Sequence, residues 1–217
     1  MSNILKMVQL DIALLKPYYK YFILIIIAPV ITLTQKDILQ CMVFPVIMLS
    51  MTAIYTFSVA EKNDLNRLYG LLPVSKKDIV TGRYIFTALL GVLGIVISFG
   101  INLIKLIIMK APITLDEGVL SIGVSIILFF LFTAIQLPGF FRFGAIKGKF
   151  FSFIPLFGLF LVSFIANSMS TVSVSKMDSL AMLNSSFGIL IISILFAVVL
   201  YCISIGITQR IYDRMEL

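Results

Sequence analysis

Two groups of polar side chains stand where recognition or transport chemistry could occur. Glu61, Asp64, Arg67, Leu68 and Tyr69 lie in a long polar interruption of an otherwise apolar chain, whereas Ser98, Asn102 and Lys105 lie inside an apolar segment at helical spacing. Neither group is equipped to make or break covalent bonds. The chain has no His, which removes the commonest general base and the commonest metal ligand together. No nucleophile has a base beside it. Asp37, Asp116, Glu117 and Asp178 all fall in polar breaks, so the apolar segments carry no carboxylate pair of the kind proton-coupled carriers use. Gly139-x4-Gly144 has the outline of a phosphate loop, but Ala145 and Ile146 stand where Lys and Ser or Thr are needed. No cofactor or metal site is expected in this chain, and energy for any pumping must come from another one.

These residues must be positioned by membrane helices. With 60% apolar and 12% charged residues and a mean hydropathy of +1.12, the 217-residue chain is expected to be an all-α polytopic membrane protein forming one transmembrane domain. A span needs about 20 mostly apolar residues. Six are predicted: about 18–34, 38–59, 84–109, 118–137, 151–166 and 187–207, with Pro138 and Gly139 ending the fourth. Residues 2–18 precede them as an amphipathic interfacial helix, with Lys6 and Lys16 on its polar side and Asp11 in its apolar sector. That start does not read as a cleaved signal peptide. Phe140 to Phe151, rich in Phe, Arg and Lys, reads as an interfacial anchor. The Ser-rich stretch 167–186 fits either a re-entrant segment or an external loop. Cys41 and Cys202 sit near opposite ends of spans and read as buried thiols.

The third span carries the clearest membrane pattern. Thr87, Gly91, Gly94, Ser98, Asn102 and Lys105 share one narrow helical face, read as a packing seam in its Thr87–Ser98 part. Asn102 and Lys105 could extend the seam or line a passage. In the last span Ser186, Ser193, Ala197 and Ser204 form a second seam.

Glu61 to Tyr84 holds five of the seventeen Lys and Arg residues and must sit in water. A short helix over 61–69, a Gly70 cap, Pro73 and a Ser75-x-x-Asp78 capping box are expected. Exposed Leu68 and Tyr69 imply that this knob docks on a partner. Thirteen of the seventeen basic residues fall on the side of the termini and the knob, the other four being Lys36, Lys105, Lys110 and Lys176. That side is therefore cytoplasmic. The basic charge is topological and points to no nucleic acid.

With six spans, an amphipathic start and a knob reading E-x-N-D-L-N-R-L-Y-G-L-L-P-V-S-K-K-D-I-V-x-G-R-Y, the chain resembles the permease subunits of bacterial type-2 ABC exporters. It is similar to the small permeases that export bacteriocins, lantibiotics and toxins. The resemblance implies a multi-pass subunit of the bacterial cell membrane, paired with a like or unlike permease. A separate ATPase chain would hold ATP and Mg, seated on a coupling helix at Glu61, Asp64, Arg67, Leu68 and Tyr69. Within the knob region 61–83, the apolar pair would anchor and the charges would rim the contact. The passage would run between the permeases. Nineteen Phe residues and a nearly charge-free interior suit an amphipathic or hydrophobic peptide cargo. The other reading is a non-transporting immunity or sensor protein that binds such peptides.

Overall fold

The computed structural model describes residues 3–18, 38–65, 74–109, 115–154, 157–158, 160–161 and 186–214. The first predicted span, the stretch 167–185 and most of the fifth span lie outside these residues, as does 66–73. The described chain is helical and has no strand. Its order is α1 (Asn3–Leu15), a 3₁₀ turn (Lys16–Tyr18), α2 (Ile38–Met51), α3 (Ala53–Lys62), α4 (Lys76–Met109), α5 (Leu115–Gly148), a second 3₁₀ segment (Lys149–Phe153) and α6 (Ser186–Asp213). Among the described residues, four helical stretches are long and apolar enough to cross a membrane: Met42–Lys62, Lys76–Ile107, Gly118–Phe153 and Gly188–Asp213.

Helices α2 and α3 form one spanning rod with a local tightening at Thr52. There the N–H groups of Thr52 and Tyr55 bond three residues back rather than four, to Leu49 and Thr52. Ser50, Thr52 and Thr56 turn their hydroxyls onto the carbonyls of Ile47, Leu49 and Ala53, so these buried polar groups are satisfied within the rod. The predicted seam of α4 is buried along its length: Thr87, Ser98, Asn102 and Lys105 are all at most 5% exposed. Gly94 meets Val46 and Leu49 of α2, and Gly91 faces the Phe129 ring of α5 so closely that a methyl group would collide with it. Opposite that seam, Leu89, Val92, Leu93, Val96 and Phe99 point outward, as a lipid-facing side requires.

Helix α5 departs from the expectation that Pro138 and Gly139 end the fourth span. It runs on through Pro138 and breaks only at Gly144, one turn before its end at Gly148. Proline removes the N–H that would bond the carbonyl four residues earlier, at Ala134. Ser204 of α6 replaces it, donating its hydroxyl to that carbonyl at 2.7 Å. Because Ser204 donates there, it must accept from the Tyr84 hydroxyl 2.7 Å away, and Tyr84 in turn accepts from Thr208 at 2.7 Å. Tyr201 donates to the Tyr84 carbonyl at 2.8 Å. This chain of hydroxyls locks α4, α5 and α6 together. Ser193 and Ala197 of the second predicted seam are buried as well.

The largest hydrophobic cluster among the described residues includes Phe57, Tyr84, Leu137, Phe140, Phe141, Tyr201 and Tyr212. Phe57 lies edge-on to Phe141 at 5.0 Å, and Phe141 to Tyr212 at 5.3 Å. The predicted interfacial anchor is therefore divided. Phe140 and Phe141 are core residues, because the helix continues past Pro138 and turns them inward, while Phe143 and Phe150 remain exposed.

Candidate functional site at the basic end

One end of the bundle collects α1, the last turn of α3, the first turns of α4, the end of α5 and the end of α6. Asp213 at the end of α6 offers its carbonyl to Lys76 at the start of α4. Lys62, Lys76, Lys77, Arg142, Lys147, Lys149 and Arg210 belong to this end. Helix α1 is fastened to it by close backbone approach: a methyl group at Gly82 would come within 2.7 Å of Met7 Cβ.

Glu61 was expected to begin a separate coupling helix. Instead it lies in the last turn of α3, which stops just beyond it. Asn63 bonds back to the Val59 carbonyl through both its backbone and its side-chain nitrogen, and Asp64 turns the chain at φ 49°. Helix α3 ends there, and the expected Gly70 cap lies outside the described residues. Arg67, Leu68 and Tyr69 lie outside the described residues. On the far side of the knob, Ser75 Oγ accepts the N–H of Asp78 at 3.1 Å, the first half of the capping box.

The Glu61 carboxylate reaches α5. At Gly144 the backbone of α5 adopts φ 73° and ψ −177°, a conformation open essentially to glycine alone, and the helix breaks there. The break frees the N–H groups that follow. Glu61 Oε2 accepts those of Ala145 at 2.6 Å and Ile146 at 3.1 Å. A carboxylate on free N–H groups is a charge-assisted cap. No methyl group fits at Gly144 without pressing on that carboxylate, 3.0 Å away.

Arg83, counted from sequence among the cytoplasmic charges, is only 4% exposed and pairs with fully buried Asp11 at 3.7 Å. Its guanidinium lies 4.1 Å above the Phe57 ring. Burial pushes the Asp11 carboxyl up from 3.8 to about 6, with Arg83 opposing the rise.

The second group of candidates lies deeper. Ser98 donates to the Met42 carbonyl of α2 at 2.9 Å, close to Pro45, and the Asn102 amide donates to the Ser98 carbonyl at 2.9 Å. Lys105 is 3% exposed. These three residues share the buried face of α4, away from the basic end. Between α2–α3 and the end of α5 lies a cavity of about 620 Å³, with Met48, Met51 and Phe153 on its apolar wall and Lys62, Lys149 and Ser152 among its polar lining. Among the described residues no three His, Cys, Asp or Glu side chains converge as a metal would need.

Two of these features were not legible in the sequence. Gly144 was visible only as part of a failed phosphate loop, and the signal for a break was that glycine inside a long helical run. The role of Ser204 required knowing that it faces Ala134, one turn before a proline.

Long apolar helices with their backbone polar groups satisfied internally, joined at a strongly basic end, define a polytopic α-helical membrane protein. The family model described as ABC-2 family transporter protein matches residues 6–213, and the chain belongs to that family. It is a membrane permease subunit of an ABC transporter and works with an ABC ATPase in a lipid bilayer. No curated protein and no solved structure matches it.

Proposed function

We propose that this permease exports amphipathic or hydrophobic peptides, of the toxin, bacteriocin or antimicrobial class, from the cytoplasm or inner leaflet of a bacterial cell. It pairs with a second permease, like or unlike itself. Its basic end faces the cytoplasm, since Lys and Arg concentrate there, and α1 lies along the membrane surface at that end. The observation that carries this reading is how the segment between α3 and α4 is fastened. On one side Glu61 grips the elbow of α5; on the other Ser75 caps α4. A push on this segment by an ATPase that is hydrolysing ATP with Mg would reach α5 and α4 directly. Asp64, Arg67, Leu68 and Tyr69 form the docking surface, and Glu61 transmits the push. Ser98, Asn102 and Lys105 pack α4 on its neighbours, and the passage runs between paired permeases.

Affinity purification in mild detergent tests the coupling. A stoichiometric P-loop ATPase should accompany the protein and be lost in Leu68→Asp/Tyr69→Asp. Cells lacking the permease should become sensitive to an amphipathic peptide or stop secreting one. Isolation without any nucleotide-binding partner, or altered levels of small hydrophilic compounds alone, would overturn the reading.

A further inference from the structure

We propose that the cavity between α2–α3 and the end of α5 seats an anionic phospholipid of the leaflet at the basic end. Its lining has the polarity of such a molecule. Met48 and Met51 lie toward the middle of the span and Phe153 shares the apolar wall, while Lys62 and Lys149 stand at the basic end. At about 620 Å³ it has the volume of an ordinary small-molecule site, enough for a headgroup and the first part of an acyl chain.

The two cations are available to a ligand. Glu61, the carboxylate next to Lys62, is committed to Ala145 and Ile146, and no acidic side chain among the described residues pairs with Lys62 or Lys149. Ser152 supplies the independent observation. It lines the cavity, is 94% buried by its 6% exposure, and its hydroxyl has no hydrogen-bond partner among the described residues. A buried hydroxyl is costly to leave unmet, and a phosphodiester oxygen is the acceptor it lacks. Two cations, a free hydroxyl and a flexible, Met-lined wall together select a phosphate with a hydrocarbon chain.

This inference rests on the orientation given above only in naming the leaflet. Native mass spectrometry of the purified protein in micelles, titrated with phosphatidylglycerol, phosphatidylcholine or glycerol phosphate, tests binding without reference to sidedness. Phosphatidylglycerol should bind in preference to phosphatidylcholine. Lys62→Gln/Lys149→Gln should weaken it by about 10-fold or more, and Lys6→Gln/Lys77→Gln, an equal loss of exposed charge elsewhere, should not. Equal binding of the two lipids, or equal loss in both variants, would overturn the proposal. Displacement of phosphatidylglycerol by glycerol phosphate alone would also overturn it, by assigning the site to a free phosphate. Lys149→Cys labelled from only one face of oriented vesicles identifies the leaflet. Specific binding with labelling from the outer face would overturn the orientation while leaving the lipid site standing.

Discussion

Glu61 of α3 caps the elbow that Gly144 makes in α5, its Oε2 taking the two N–H groups that follow the break at 2.6 and 3.1 Å. Glu61→Ala should lower stability in detergent by about 1–2 kcal/mol, the range for a lost cap. Glu61→Gln, which keeps one acceptor oxygen without its charge, should fall between. Gly144→Ala should cost about 1–3 kcal/mol from backbone strain, with the crowding at Glu61 added to it. Thermal unfolding of the purified variants gives the order, and an unchanged midpoint in Glu61→Ala would deny the cap any stabilising part.

Ser204 and Pro138 form a coupled pair through the Ala134 carbonyl. Ser204→Ala leaves that buried acceptor and the Tyr84 hydroxyl each short of a partner, at a cost of about 1–3 kcal/mol. Pro138→Ala restores the N–H that Ala134 lacks, so the same serine change should be milder in that background. A double-mutant cycle measures the difference. Strict additivity would mean that Ser204 does not stand in for the missing donor.

The Asp11 carboxyl, raised by burial to about 6, makes stability depend on pH. The folded protein holds this proton more tightly than the unfolded chain. Its contribution is therefore full below 3.8 and is lost as pH rises through about 6. Asp11→Asn should remove that decline, and Arg83→Met, which takes away the opposing attraction, should extend it to higher pH. Unfolding midpoints from pH 4 to 8 decide this, and parallel wild-type and Asp11→Asn profiles would exclude Asp11 as the source.

Gly82→Ala places a methyl group 2.7 Å from Met7 Cβ, an atom next to the backbone that cannot swing aside. Helix α1 must shift. Val8→Cys, buried in the native arrangement, should then react with a maleimide at least several-fold faster. An unchanged rate would show that α4 yields instead.

Local patterns carried much of this structure in the sequence itself. The run from Thr87 to Lys105 identified the buried face of α4, because a 3.6-residue repeat puts those side chains on one side whatever they pack against. Ser75 and Asp78 marked the start of the same helix, since a cap is made within one turn. Composition alone required apolar helices in a membrane.

Only the tertiary structure decided where local signals would be overruled. Pro138 reads as a helix end, yet the helix continues because the Ser204 hydroxyl, 70 residues beyond Ala134, replaces the missing donor. Glu61 reads as the first residue of a solvated knob, yet its carboxylate binds the Ala145 N–H, 84 residues further on, just past a backbone break. Arg83 reads as one more cytoplasmic charge, yet α1 brings Asp11 over it and removes both from water. Each reversal has one physical cause. A polar or charged group with no local partner takes one from a distant turn of another helix, and the sequence near it does not name that partner.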